Sequence, residues 1–157
     1  MNKISWCKNQ KSGIKLIEPN DNLSEEYYQN AEESLKVLRS INETKSNMWL
    51  ATTKYYIEYF AVYSILMKIG IKCEIHDCTI ALIKFLEKES VIKSGISKLL
   101  EKDKELRIDN QYYLKNKPVD INFETTEFHS SQMSGAQWNL CAQKPRAIRG
   151  ILSVKNH

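Results

Sequence analysis

Cys73, His76 and Cys78 bring three metal-binding or nucleophilic side chains together in one short stretch of chain. Zinc takes four tetrahedral ligands, and a closed site commonly joins two separated ligand pairs. Here the second pair is missing, so Cys7, His129 or Cys141 would have to supply the fourth ligand. The alternative is a pair of buried thiols beside a histidine that caps a helix. His76 is also the first residue to consider as an acid or base, because imidazole titrates near neutrality. Neither Cys73 nor Cys78 has a visible partner that would turn its thiol into a nucleophile.

A second constellation is aromatic. Tyr55, Tyr56, Tyr59, Phe60 and Tyr63 follow one another at helical spacing. Such faces stack on bases and their hydroxyls hold phosphate or ribose, although a stripe of this kind also builds cores. Tyr55 and Tyr56 cannot both face inward on a helix, so one of them belongs to a boundary, where it would meet a partner or a ligand. Arg107, Asp109 and Tyr112 lie on adjacent faces of a later helix and are expected to form a cross-helix polar network. Runs such as Glu87-Lys88-Glu89 and Glu101-Lys102-Asp103-Lys104-Glu105 read as solvated faces.

The elements that must position these groups are helical. Residues 1–20 read as an N-terminal arm or short helix, ending at Pro19-Asn20-Asp21-Asn22. Asn22 or Ser24 can cap a first long helix with the stripe Leu23, Tyr27, Ala31, Leu35 and Leu38, ending near Ile41. A short polar linker predicts that the next helix, Met48 to Ile69, folds back antiparallel. Its apolar band is wider than half its surface, which makes it the central helix, and Gly70 ends it. Asp77 or Thr79 can open a third helix, and a fourth begins near Ser90 and extends until Pro118. Residues 119–157 show no sustained stripe and read as a weakly structured or loosely docked C-terminal tail.

Composition limits the function classes. A chain of 157 residues with 42% hydrophobic and 27% charged residues, 5 Gly and 3 Pro excludes collagenous and low-complexity types. Its net charge of +4 permits RNA without predicting it. The opening residues lack the apolar run of a signal peptide, so free thiols in a reducing cytoplasm are expected. The stretch from Tyr55 to Ile71 is interrupted by Glu58 and Lys68 and does not read as a membrane span. No Gly-rich phosphate loop, zincin His pair or nucleophile elbow is present, and no cofactor is implied.

The order of several segments resembles the HEPN superfamily (higher eukaryotes and prokaryotes nucleotide-binding domain), in particular its small archaeal members. Those segments are 22–36, Trp49 through Tyr55-Tyr56-Ile57-Glu58-Tyr59, Leu66 through Gly70 to His76, and Leu106-Arg107-Ile108-Asp109-Asn110-Gln111-Tyr112-Tyr113. The N-terminal Ile4-Ser5-Trp6-Cys7 also resembles their arm. The resemblance implies an all-α, up-and-down antiparallel bundle of four to five helices over residues 21–118, usually a homodimer. It implies a minimal nucleotidyltransferase as partner, in toxin–antitoxin pairs or as a substrate-binding subunit, and for many members metal-independent RNase activity.

The RNase branch uses an Arg separated by four to six residues from a His. Here Ile69, Gly70 and Ile71 stand where that Arg would be. Lys68 and Lys72 carry charge nearby but lack the planar fork that grips phosphate bidentately. The expectation is therefore a non-catalytic module that dimerises and binds a nucleotidyltransferase-type partner, a nucleotide or RNA. Its contact surface would run over the Tyr55 to Tyr63 face and the turn from Lys68 to His76. Two alternatives stand beside it: an RNase using His76 with a Lys or Arg107, and an adaptor stabilised by zinc on Cys73, His76 and Cys78.

Overall fold

A computed structural model describes residues 2–126 and 145–153, except for the side chains of Pro145, Arg146, Ala147 and Ile151. The architecture is an all-α bundle. Helix α1 (Lys3–Asn9) leads into strand β1 (Lys15–Leu16), then α2 (Asp21–Ile41), α3 (Asn47–Ile69), strand β2 (Ile71–Lys72), α4 (His76–Lys88), α5 (Ile96–Gln111) and α6 (Pro145–Ser153). Among the described residues no helix is long and apolar enough to cross a membrane.

Helix α3 is the centre of the bundle. It buries residues around its whole circumference, from Leu50 and Ala51 to Met67 and Ile69, as an apolar helix must. Helix α2 lies antiparallel against it and buries Ser24, Ala31 and Leu38, seven residues apart and so on one face. Ser24 Oγ donates to the Ser64 carbonyl at 2.8 Å, which satisfies a buried hydroxyl at that seam. The cap of α2 is Asn20 rather than Asn22 or Ser24: its side chain accepts from Leu23 N at 2.9 Å. Gly70 ends α3 with φ +76, a left-handed conformation in which a Cβ would meet the Ile17 carbonyl.

The arm docks on the end of α3. β1 pairs antiparallel with β2, Lys15 opposite Lys72 and Leu16 opposite Ile71. Ile17 N donates to the Gly70 carbonyl at 2.9 Å. Cys7 and Cys78 form a disulfide between α1 and α4. This corrects the expectation of free thiols: Cys7 is carried onto α4 by the fold of the arm, a proximity that spacing along the chain does not show. Cys73 remains a free, buried thiol.

The fourth helix starts later than expected. Residues between α4 and α5 form a turn with Ser90 at φ +55 and Gly95 at φ +104, while Val91 and Ile92 are buried from that turn. Glu87 caps α5 from outside, accepting from Ser97 N at 2.8 Å and Ser97 Oγ at 2.7 Å. Glu87 is thus not part of a merely solvated run. The helix ends at Gln111, well before Pro118, and the buried Asn110 side chain ties down the returning chain: its Oδ1 accepts from Lys117 N at 2.6 Å and its Nδ2 donates to Lys117 O at 3.0 Å. Within the segment read as a tail, Val119, Ile121 and Phe123 pack on Leu38, Leu50 and Ile57. Helix α6 buries Ile148 and Leu152, and Arg149 donates to the Ile17 carbonyl. His129, Cys141 and the stretch 130–135 lie outside the described residues.

Candidate functional site

Tyr55, Tyr59 and Tyr63 are four residues apart on α3 and form a ladder of rings, with centroids 5.7 Å apart between the first two and 4.8 Å between the last two. His76 joins this ladder from α4. Its ring lies 4.3 Å from that of Tyr59 and nearly parallel to it, and 5.7 Å from that of Tyr55. The hydroxyl of fully buried Tyr55 stands 2.5 Å from His76 Nδ1. One imidazole nitrogen, Nδ1, is thereby engaged.

The β2–α4 connector sets the height of His76. Ile75 is the cap residue of α4, and its carbonyl accepts from Cys78 N and Thr79 N, both at 2.9 Å. Thr79 Oγ1 lies 3.3 Å from both the Cys73 and Ile75 carbonyls, which ties the connector down. His76 is therefore the first residue of the helix, not its cap. Burial, then Arg107 and Lys104, hold its pKa below the ordinary imidazole value, so the ring is neutral at physiological pH.

Helix α5 delivers the cations. Lys104, Arg107 and Gln111 share one helical face by their three- and four-residue spacing. The Arg107 guanidinium sits 4.8 Å from the centre of the Tyr55 ring and 5.6 Å from that of Tyr56, with Nη1 3.4 Å from Tyr56 Oη. Among the described residues Arg107 Nε is buried without a hydrogen-bond partner, and so is Gln111 Oε1. Lys104 pairs with Asp77, next to His76, and holds that carboxyl below its usual range.

Seven of the residues singled out from sequence thus meet: Tyr55, Tyr56, Tyr59, Phe60, Tyr63, His76 and Arg107. The others do not join them. Lys68 pairs with Asp21 at 3.0 Å and Lys72 with Glu74 at 2.8 Å, both at the surface. Asp109 is held by Lys115 at 2.8 Å and Lys117 at 2.5 Å, and Tyr112 is 65% exposed beyond the end of α5. Of the expected cross-helix polar network, Arg107 makes its contact, to Tyr56 on α3, while Asp109 pairs beyond the end of its own helix and Tyr112 is exposed.

The zinc arrangement on Cys73, His76 and Cys78 is also corrected. The Cys78 sulfur is bonded to Cys7 and offers no thiolate, while burial raises the Cys73 pKa and keeps it a thiol. Among the described residues no group of three His, Cys, Asp or Glu side chains could hold a metal ion. Sequence reasoning missed Lys104, Gln111 and the buried pair Glu58 and Asp103. The signal for Glu58 was a lone carboxylate inside an apolar helix; for Lys104 and Gln111 it was their helical spacing from Arg107. No protein-family model and no curated protein matches the chain, so its function is to be read from this site.

Proposed function

We propose that the chain is a HEPN-like helical module that binds a nucleotide or the phosphate backbone of RNA, with Arg107 as the phosphate anchor. The observation that carries this reading is the placement of Arg107 over Tyr55 and Tyr56 with its Nε unpaired, beside a His76 whose Nδ1 is engaged by Tyr55. An unsatisfied buried donor costs free energy, and a phosphate oxygen brought to the Nε edge would supply the missing acceptor. Half-buried Tyr56 offers a ring on which a base can stack. Neutral His76 adds a hydrogen bond through Nε2 without a charge.

The exposed apolar side chains Trp49, Tyr112, Tyr113 and Leu114 support a homodimer. A minimal nucleotidyltransferase is the partner that fits such a module, in a toxin–antitoxin pair. We place it in the cytoplasm, where the state of the Cys7–Cys78 couple follows the redox poise of the compartment.

One observation favours a second reading, a metal-independent RNase. Arg107 and His76 both contact Tyr55, so the fold brings close an Arg and a His that are far apart along the chain. His76 would then move the proton of the attacking 2′-hydroxyl and Arg107 would hold the phosphate. Single-turnover cleavage of a structured RNA pool by wild type, His76→Ala and Arg107→Ala separates the two. Binding without cleavage, lost in Arg107→Ala, supports the binding module. Cleavage lost in both variants supports the RNase. Retention of both binding and any cleavage in Arg107→Ala would overturn both.

A further inference from the structure

Glu58 and Asp103 meet in the seam between α3 and α5, where they are 3% and 1% exposed. Their carboxyl groups are hydrogen-bonded to one another, and among the described residues Glu58 Oε2 and Asp103 Oδ2 have no other hydrogen-bond partner. Two carboxylates offer only acceptors, so this bond requires one proton held between them. Lys54 Nζ, 3.2 Å from each Asp103 oxygen, supplies one positive charge. The cluster is therefore neutral with the proton in place. Without it the seam holds one unmatched buried negative charge, a costly state. A cavity of about 580 Å³ between α3, α5 and the segment 117–126 adjoins the pair and gives the proton a path to solvent and the carboxyls room to part.

The pair stands one helical turn from the Arg107 site. On α5, Asp103 and Arg107 are four residues apart and share a face. On α3, Lys54 and Glu58 bracket Tyr55 and Tyr56, whose rings carry the Arg107 guanidinium. Helix α5 is thus held to α3 at two successive levels, one by the shared proton and one by the cation over the rings. We propose that the Glu58–Asp103 proton is a latch on this seam: when it leaves to solvent the two carboxylates repel, and the seat of Arg107 over Tyr55 and Tyr56 loosens. Its functional consequence, a weaker grip on phosphate as pH rises, rests on the reading of Arg107 as the phosphate anchor.

The surrounding charges do not replace the proton. From α3, Tyr55 faces Glu58 with a hydroxyl that burial keeps protonated, and Lys54 already serves Asp103. From α5, Lys102 is exposed and Glu105 adds negative charge to the cavity. Across the cavity Lys117 is bonded to Asp109, and Asp120 is a further acid. Burial first, and Asp103 second, hold the Glu58 pKa well above the usual carboxyl range, so the latch opens at a pH where surface carboxyls are already ionised.

The test is NMR spectroscopy of the full chain without ligand, following the Glu58 carboxyl carbon and the Arg107 Nε–H resonance, assigned through Arg107→Lys, over a pH series. In wild type both signals should move with one midpoint, above the ordinary carboxyl range. Glu58→Gln keeps a donor toward Asp103 and removes the titrating proton. Its Arg107 signal should therefore stay fixed, apart from the step caused by His76, which is common to both proteins. Asp103→Asn lets the Glu58 carboxylate take Lys54, so the Glu58 midpoint should fall by about one pH unit or more and the Arg107 signal should follow it. That variant decides alone if Glu58→Gln does not fold. An Arg107 signal that ignores the Glu58 titration, the same shift in Glu58→Gln, an unmoved midpoint in Asp103→Asn, or a Glu58 that titrates in the ordinary carboxyl range overturns the proposal. Because no nucleotide is present, failure of the latch and failure of phosphate binding at Arg107 are read separately.

Discussion

The Tyr55 hydroxyl lies 2.5 Å from Nδ1 of His76, linking the middle of α3 to the first residue of α4. With Tyr59 stacked at 4.3 Å on the same imidazole, the ring is held in one orientation. Tyr55→Phe removes the contact and keeps the ring of the tyrosine in place. It should cost about 1 kcal/mol in urea unfolding. The His76 ring resonances should broaden or shift in NMR spectra; an unchanged imidazole would mean that the hydrogen bond does not orient it.

Arg107 and Lys104 both lower the pKa of His76, after burial. A histidine with a lowered folded-state pKa binds fewer protons in the folded than in the unfolded chain. Its contribution to stability is therefore complete above the ordinary value of 6.5 and is lost as the pH falls from there toward the folded-state pKa. Arg107→Gln should move the NMR titration of His76 upward and flatten that part of the stability profile. A downward or absent shift would show that the guanidinium is not the electrostatic neighbour of His76.

The two-ring seat of Arg107 distinguishes it from a generic cation. Arg107→Lys keeps the charge but loses the planar group over Tyr55 and Tyr56. Equilibrium binding of nucleotide should weaken in Arg107→Lys nearly as much as in Arg107→Ala, by about tenfold or more, in line with the loss of a charge-assisted hydrogen bond. Full binding by the lysine variant would reduce the site to simple charge attraction.

The Cys7–Cys78 bond closes a loop with a sequence separation of 71. Loop-closure entropy puts its contribution at about 4 kcal/mol. Thermal unfolding with and without a reductant should show a lower Tm for the reduced chain. Alkylation under native oxidising conditions should spare Cys73, which is buried. Identical melting curves, with reduction confirmed by mass, would refute the stabilising role.

Glu58 supplies a pH signature of opposite sign. Its folded-state pKa is raised, by burial first and by Asp103 second, so between the ordinary carboxyl value and that raised value the folded chain binds more protons than the unfolded chain. Stability contributed by Glu58 therefore falls as pH rises through that window. Glu58→Gln should be close to wild type at pH 4 and more stable than wild type at pH 8 in urea titrations. A constant difference across pH would mean that Glu58 is not held protonated.

Much of this architecture is visible in the residues themselves. The stripe Leu23, Tyr27, Ala31, Leu35 and Leu38 marks the face that α2 turns to the core, and Gly70 marks the end of α3. The start of α5 was less legible. Ile92 fits a helical stripe by spacing, yet it is buried from a turn that has positive φ at Ser90 and Gly95. Asp103 carries the same lesson: inside a charged run it reads as solvated, while Lys54 from another helix makes its burial tolerable.

The sequence by itself determined that α2, α3 and α4 are helical, which of their faces are apolar, and that tyrosines line α3 at four-residue steps. Those properties depend on neighbours within a turn or two, and the chain's local chemistry specifies them. Only the tertiary structure decided that Arg107 covers Tyr55, that His76 meets the hydroxyl of Tyr55, that Cys7 bonds Cys78, and that Glu58 faces a cavity. Each of these joins different elements, and what sets them is the register and angle at which helices pack, which follow from the whole core rather than from any one stretch of it.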